Sequence, residues 1–375
     1  MIWFLLKLFF VKWTTIKRWN NFPRVEDVSP LDNAGFVIHI ALFMAYLEEK
    51  QGKIIDKEFI MKKIIFGLFQ SLILSDINSG TKNYLLKENH LILEELEEKV
   101  LNYICSLEWA DFLKKDIKKI LWDKSDRIEN KIILWAKNYA WLKECQVNAK
   151  IFDYAFDIAL EEINQSLNFL KKDLFSLNEI LINENYQKYL THIRRLSHAM
   201  RWSWKKRNFP ISVMSHLVIV SFISYCLANI EDDKEYDIYE IMKKSIYHDI
   251  PEAITGDIIT PIKNSVSWFR NTLEKVEEKM LNNYFFIYID NDYKKEIKDY
   301  MLNPFEGKIW KLAKNSDIIS ALLEARIERD WKNDTFIKIY KKIKFIVNKF
   351  ETKSSNYFLK DVLLDFGEDI WDIKF

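Results

Sequence analysis

Four side chains in the second half of the sequence are of the types that bind divalent metal ions. His248 and Asp249 are adjacent, His216 lies 32 residues before His248, and Asp317 lies 68 residues after Asp249. Imidazole nitrogen and carboxylate oxygen together suit Mn, Co, Fe, Ni or Zn. All four lie in largely apolar segments, where a buried charge is costly unless it is paired or metal-bound. A lone histidine on an apolar helix is more often a core residue than a ligand, so the metal hypothesis depends on the whole set.

Long helices must position these residues, and the composition favours such helices. With only 7 glycines and 6 prolines among 375 residues, the chain lacks the turn residues that β-sandwiches, propellers and glycine-rich nucleotide folds require. Apolar side chains recur at three- and four-residue steps from Val213 to Leu227, and again at Leu273, Val276 and Met280. We therefore predict an all-α protein.

Charge and cysteine content limit the possible partners and compartment. Lys and Arg number 56 and Asp and Glu number 55, so a formal net charge of +1 gives no general reason to bind nucleic acid or an anionic membrane. The three cysteines, Cys105, Cys145 and Cys226, have no paired spacing. This usage predicts a reducing compartment, the cytoplasm, without a disulfide framework or zinc knuckle.

The apolar run from Met1 to Trp13 is the one segment that suggests a signal peptide or an anchor. It is shorter than the ~20 residues that a membrane helix needs, and Lys7 and Lys12 interrupt it. We predict that it is a buried first helix, with a peripheral membrane contact as the alternative. No other segment is expected to span a membrane.

The sequence contains four blocks that recur in the same order. Arg18-Trp19 matches Arg201-Trp202, residues 61–82 match 242–263, residues 93–102 match 273–282, and Ala-Lys-Asn at 136–138 matches 313–315. Recurrence of this kind indicates an internal duplication. We predict a tandem helical bundle, with one copy in residues 1–182 and the other in residues 183–375.

The longest motif is Tyr247-His-Asp-Ile-Pro-Glu-Ala-Ile-Thr-Gly-Asp-Ile-Ile-Thr-Pro-Ile-Lys263. With Arg201-Trp202 and His216 before it and Asp317 after it, roughly residues 185–335 resemble the HD-domain metal phosphohydrolases. Within them the match is to the YfbR-like 5'-deoxynucleotidases. Ser215 and Ile259 depart from the family, which usually has Glu and Pro there, and these changes bear on substrate choice rather than on metal binding.

The resemblance implies a role for each matching residue. One divalent ion, such as Mn or Co, would be bound by His216, His248, Asp249 and Asp317. Glu252 would act as acid/base or orient the attacking water, and Arg201 would hold the phosphate. Trp202 would pack on the sugar and help to exclude a 2'-hydroxyl. The remaining substrate-binding residues would be Asp257, Thr260 and Lys263.

The implied function is metal-dependent hydrolysis of 2'-deoxynucleoside 5'-monophosphates to deoxynucleoside and phosphate. Two alternatives stay open: an HD hydrolase of another nucleotide phosphate ester, such as a polyphosphate or cyclic nucleotide, and a nucleotide sensor without turnover. The Lys205-Lys206-Arg207 cluster is expected to be a solvated loop, or at most an aid in attracting anionic substrate.

The first copy is expected to lack the metal site. The positions of His216, His248, Asp249, Glu252 and Asp317 are filled there by Asn33, Gly67, Leu68, Ser71 and Ala140. Asp76, Lys82 and Arg18-Trp19 remain, so this half is either a structural copy that forms a pseudo-dimer with the second, or a regulatory nucleotide site. Arg18 alone could also cap the first helix or form a surface ion pair. A further homo-oligomer stays open.

Overall fold

The computed structural model describes residues 2–363 except 75–78, 90, 107–109, 172, 232–235, 257, 259–261 and 263–265. Within these residues the chain is helical, without a β-strand, and a single isolated bridge joins Met200 and Ser212. The prediction of an all-α protein is therefore confirmed.

The helices fall into two series along the chain. The first half contains α1 (Ile2–Lys7), α2 (Pro30–Glu49), α3 (Lys57–Leu74), α4 (Ser79–Glu88), α5 (Ile92–Ser106), α6 (Asp111–Leu121), α7 (Ile128–Asn148), α8 (Asp153–Leu170) and α9 (Phe175–Ile182). The second contains α10 (Glu184–Arg194), α11 (Val213–Glu231), α12 (Ile238–Tyr247), α13 (Glu252–Thr255), α14 (Phe269–Tyr284), α15 (Asn291–Leu302), α16 (Trp310–Asp330), α17 (Thr335–Asn348) and α18 (Lys353–Tyr357). The predicted boundary lies between α9 and α10, where the Asn183 side chain caps α10.

Helices α2 and α11 form the centre of the molecule. They are apolar on all sides, which is typical of a helix enclosed by protein. Both are long and apolar enough to cross a membrane, with mean hydropathies of 1.3 and 1.8, but 89% of each tested window is buried inside the protein. By length and composition alone the two helices resemble membrane helices, because a fully enclosed core helix and a membrane helix share both properties.

The N-termini of these two helices meet through reciprocal polar contacts. Ser29 caps α2 and its hydroxyl lies 3.3 Å from that of Ser215 in α11. In the opposite direction, Asp32 of α2 accepts hydrogen bonds from Ser212 and Ser215. Gly35 lets the helices approach closely, since an added Cβ would lie 2.6 Å from the Met214 sulfur. Residue-for-residue reciprocity of this kind is the pattern of a two-fold interface.

The two Arg-Trp pairs lie in loops of the same construction. Arg18 N–H donates to Val28 O, and Arg201 N–H donates to Ile211 O, each at 2.9 Å. The tryptophan that follows has φ of 55° in Trp19 and 56° in Trp202. A bulky residue in this left-handed region is an outlier. Two outliers of equal φ at matching positions indicate that the loops are held by the same surroundings.

A buried lysine is also matched between the halves. Lys62 of α3 pairs with Asp116 of α6, and Lys243 of α12 pairs with Glu296 of α15, each at 2.8 Å. Both lysine side chains are almost fully buried. The pairs tie equivalent helices together in each half.

The N-terminal segment is a buried helix, as predicted. Helix α1 continues through a π-helical stretch, Leu8–Lys12, to Thr15. Phe9 packs on Phe222 of α11, with ring centroids 5.1 Å apart, and Trp13 is fully buried against Phe69 of α3. The segment therefore belongs to the same core as both central helices.

An ion pair across the halves gives a pH-dependent prediction. Burial opposes ionisation of Glu26, but His198 and Arg194 outweigh burial and lower its pKa to about 2. Because this pKa is depressed, the stabilisation is complete above the unfolded-state value of about 4.5 and is lost as the pH falls toward 2. We expect Glu26→Gln to lower the free energy of unfolding by about 2–3 kcal/mol at pH 7 and by roughly half as much at pH 3.

Urea unfolding at the two pH values would check this. Asp27→Asn is the matched control, because Asp27 is 60% exposed and pairs only locally with Arg24. Equal losses at pH 7 and pH 3 for Glu26→Gln would contradict the assigned charge interaction.

Candidate metal centre

Three helices and one turn bring the predicted ligands together. His216 lies in the first turn of α11, His248 ends α12, and Asp317 lies within α16. Asp249 follows His248 in a tight turn, in which Ile250 N–H donates to Tyr247 O and Glu252 N–H donates to Asp249 O, each at 3.1 Å. The turn lets consecutive His and Asp side chains reach one centre, which neighbours along a regular helix cannot do.

The ligand atoms converge on a small buried volume. His216 Nε2 lies 3.7 Å from Asp249 Oδ2 and 3.3 Å from Asp317 Oδ1. His248 Nε2 lies 3.2 Å and 3.9 Å from the same two oxygens. His216, His248 and Asp249 offer ligand atoms within 4.8 Å of one another. Asp317 borders this group, and its second oxygen accepts a hydrogen bond from Lys314 at 2.8 Å.

The outer nitrogen of each histidine is held by the protein. His248 Nδ1 lies 2.8 Å from Ser245 O, a contact in which only the ring N–H can donate. His216 Nδ1 lies 3.2 Å from the Ser320 hydroxyl. In His248, the proton held on Nδ1 leaves the Nε2 lone pair free for a metal ion, as is usual for histidine ligands.

The charges of the grouped residues shift one another's pKa values. Burial alone would raise the pKa of Asp249, but His248 and His216 hold it well below its usual range. For Asp317, burial is likewise outweighed, here by Lys314 and His216. Burial disfavours protonated His248, yet Asp249 and Asp317 raise its pKa. Both carboxylates are therefore ionised at neutral pH.

The side chains fit a divalent cation. His216 Nε2 and His248 Nε2 are buried and have no hydrogen-bond partner among the described residues. Buried polar atoms without partners are rare in folded proteins and call for an explanation. Two imidazole nitrogens facing two carboxylates form a mixed N/O donor set of the kind that first-row divalent ions prefer.

Residues 188–366 match the 5'-deoxynucleotidase YfbR-like family. A 5'-deoxynucleotidase of Vibrio parahaemolyticus is 23% identical over 175 residues, covering 46% of this chain and 90% of that protein. A 5'-deoxynucleotidase of Yersinia pestis is 24% identical over 192 residues, covering 50% and 96%. Residues 188–366 are therefore similar to the YfbR-like family of HD-domain proteins.

A solved structure is also similar. The HD-domain phosphohydrolase of Listeria innocua is 26% identical and covers 49% of this chain and 90% of its own, with a TM-score of 0.44. The chain is a hydrolase. About half of it has no counterpart in the two relatives above.

Of the predicted substrate residues, Arg201, Trp202 and Glu252 lie in the described part of the chain. Arg201 Nη1 donates to Asp249 Oδ2 at 3.4 Å. Trp202 packs edge-on against Phe336, with ring centroids 5.8 Å apart. Glu252 begins α13, and its charge acts on the Arg201 guanidinium. Asp257, Thr260, Lys263 and Ile259 lie outside the described residues.

The sequence interpretation missed a row of charges behind Arg201. Glu324 and Glu328 of α16 are fully buried, and Arg207 lies between them at 2.9 Å and 3.2 Å. Arg207 was expected in a solvated loop, but only 4% of its side chain is exposed. The available signal was the spacing of Asp317, Glu324 and Glu328, which places three acids on one helix face. Charges on the apolar face of a buried helix require partners.

The first half brings no comparable metal-binding group together among its described residues. Leu68 is buried, and Ser71 accepts a hydrogen bond from Trp13 Nε1 at 3.3 Å. Arg18 pairs with Glu144 as Arg201 pairs with Glu324, and Glu324 lies 180 positions after Glu144. When the two halves are aligned on these glutamates, Lys137 rather than Ala140 lies opposite Asp317. Neither residue replaces the carboxylate.

Metal content provides a direct test of the centre. We expect about one bound Mn²⁺ per chain, and we expect His216→Ala or Asp249→Ala to weaken binding by more than the roughly 10–100-fold that loss of an outer partner typically costs. Elemental analysis and calorimetric titration would measure both quantities.

His39→Gln is the matched control. His39 is also fully buried, packs on Tyr247 and has a pKa lowered to about 3 by burial, but it lies outside the cluster. This variant should keep its metal. Two metal ions per wild-type chain would contradict a centre confined to the second half.

Proposed function

We propose that the protein hydrolyses 2'-deoxynucleoside 5'-monophosphates to deoxynucleoside and inorganic phosphate. The observation that carries the proposal is the convergence of two unpartnered histidine nitrogens on Asp249 and Asp317. The Arg201 guanidinium, a bidentate phosphate donor, lies directly beside this group. The names of the family relatives support a nucleotide as the substrate.

A bound divalent cation would lower the pKa of a coordinated water from about 15.7 toward 7 and polarise the phosphoryl oxygens. Mn or Co suits the donor set. The residues that would hold it are His216, His248, Asp249 and Asp317.

The remaining chemistry falls to the residues around that centre. Arg201 would bind the phosphate and offset charge on its equatorial oxygens as the P–O bond to the sugar breaks. Glu252 follows Asp249 by three residues and would take a proton from the attacking water. It would then return that proton to the leaving 5'-oxygen, so that acid and base are the same carboxyl group.

We also propose that the chain is one helical unit present twice, with the first copy serving in place of a second subunit. The reciprocal contacts between α2 and α11, the equal φ values of Trp19 and Trp202, and the matched pairs of Lys62 and Lys243 support this. A cytoplasmic location is proposed as well, since the cysteines are unpaired thiols.

A phosphate-release screen tests the proposed reaction. The Mn- or Co-loaded protein should release phosphate from dAMP, dGMP or another deoxynucleoside 5'-monophosphate. Asp249→Ala should abolish release, because it removes a ligand. Glu252→Gln should reduce kcat by about 100-fold or more while the metal stays bound, since it removes only the proton carrier.

Nucleoside triphosphates and cyclic nucleotides belong in the same screen, since they identify the alternative reactions. No phosphate release from any deoxynucleoside monophosphate would rule out the proposed activity. Binding of those nucleotides without turnover would favour a sensor.

Selection against ribonucleotides gives a second prediction. Trp202 is fixed against Phe336 and lies next to the phosphate-binding Arg201, so its indole can limit the space at the sugar. We expect Trp202→Ala to reduce the ratio of kcat/KM for dAMP over AMP by about 10-fold or more. Trp331→Ala is the control, because Trp331 is 53% exposed and packs on Phe209 rather than on Trp202. An unchanged ratio in Trp202→Ala would remove Trp202 from this role.

A further inference from the structure

The two Arg-Trp loops differ in the hydrogen bonds that they make to the buried glutamate of the neighbouring helix, which is Glu144 in the first half and Glu324 in the second. In the first half, Glu144 of α7 accepts from Arg18 Nε, which lies 3.0 Å from each carboxylate oxygen, and from Trp19 Nε1 at 2.8 Å. Both donors are therefore occupied by the protein itself. The described residues of this half also bring no candidate metal ligands together.

In the second half, Glu324 of α16 is hydrogen-bonded by Arg207 instead of by the Arg-Trp pair. Its Oε2 accepts from Arg207 Nη1 at 2.9 Å. Arg201 Nε lies 3.3 Å from Oε1 as an ion pair, but without hydrogen-bond geometry. Trp202 Nε1 is buried and has no hydrogen-bond partner among the described residues. Arg201 and Trp202 thus keep donors that their counterparts in the first half have lost.

The position of one arginine accounts for the difference. Arg24 and Arg207 stand at matching places, six residues after the arginine of each Arg-Trp pair. Arg24 turns outward to Asp27 at 2.7 Å, and 25% of its side chain is exposed. Arg207 turns inward, with 4% exposed. Only the second loop therefore places a second guanidinium beside the buried glutamate.

A second difference between the halves, Asn148 in α7 and Glu328 in α16, explains why Arg207 turns inward. Asn148 accepts from Val25 N–H at 2.7 Å, and Glu328 accepts in the same way from Asn208 N–H at 2.9 Å. Glu328 also holds Arg207 Nε at 3.2 Å. A neutral amide satisfies the loop backbone but cannot compensate a buried guanidinium, whereas a carboxylate does both.

We propose that Arg207, fixed by Glu328, is a positioning residue that orients the Glu324 carboxylate so that it pairs with Arg201 without accepting hydrogen bonds from Arg201 Nε or Trp202 Nε1. These donors are thereby left for the phosphate and sugar of the substrate. The nature of that substrate rests on the proposed function. Without Arg207, the Glu324 carboxylate would be free to turn and hydrogen-bond both donors, as Glu144 does. A phosphate would then have to displace a carboxylate in order to bind.

Binding of inorganic phosphate to the Mn-loaded full chain tests this without requiring turnover. We expect Arg207→Gln and Glu328→Asn, the latter copying Asn148, to weaken phosphate binding by about 10- to 100-fold, the value of one or two charged hydrogen bonds. Metal content should stay at the wild-type level. The KM for the deoxynucleotide should rise in parallel, with a smaller change in kcat.

Two variants separate positioning from general stability. Arg207→Lys keeps the charge and should restore part of the phosphate affinity, whereas Arg24→Gln in the first half should leave affinity unchanged. Thermal unfolding of each variant shows which are folded. If Arg207→Gln does not fold, Glu328→Asn carries the test.

The outcomes distinguish the two proposals. Equal phosphate affinity in wild type and folded Glu328→Asn, or no phosphate binding by metal-loaded wild type, would overturn the role of Arg207. Loss of phosphate affinity in the variants, combined with no turnover of any deoxynucleotide by wild type, would remove the proposed function and leave the positioning role in place.

Discussion

Compensation of buried charge is the constraint on which the second half depends. Glu324 and Glu328 have no exposed side-chain surface, and Arg201 and Arg207 lie against them. Burying an uncompensated charge costs several kcal/mol even after the protein relaxes. Arg201, Glu324, Arg207 and Glu328 alternate in sign, so each charge has an opposite neighbour. Burial opposes ionisation of Glu324, but the two arginines lower its pKa to about 2. The charge of each residue in this row is compensated by the opposite charge of the residue next to it.

The same row connects the candidate metal centre to the proposed phosphate-binding residue. Asp317 and Glu324 lie on one face of α16, so one helix positions both a candidate metal ligand and the ion-pair partner of Arg201. Arg201 in turn contacts Asp249, a second candidate ligand. Burial disfavours its charge, but Glu324, Asp249, Asp317 and Glu252 keep the pKa of Arg201 above its usual value. Its positive charge is therefore maintained by the acids that define the centre.

The sequence predicted the fold class, and it indicated the four candidate ligands, because each leaves a recognisable pattern. Helical periodicity marks α11 and α14, and the adjacent His248-Asp249 pair has few structural explanations once His216 and Asp317 accompany it. The role of Arg207 was not predictable in this way, because its neighbours Lys205 and Lys206 made it resemble a surface cluster. Its partners lie 117 and 121 residues later in the chain. The alignment of Ala140 with Asp317 stays a prediction that rests on a three-residue identity, and the Arg18–Glu144 contact favours Lys137 at that place.

The first half shows which parts of the arrangement belong to the scaffold. A non-glycine residue in a strained backbone region costs on the order of 1–3 kcal/mol, so it persists only where the surroundings enforce it. Trp19 and Trp202 share this conformation, although among the described residues only the second half brings candidate metal ligands together. The strained loop therefore does not depend on the metal centre. It follows from anchoring the preceding arginine to a glutamate on a neighbouring helix, which both halves do. What distinguishes the halves chemically is then a small set of side chains: the ligands themselves, and the Arg207–Glu328 pair beside Glu324.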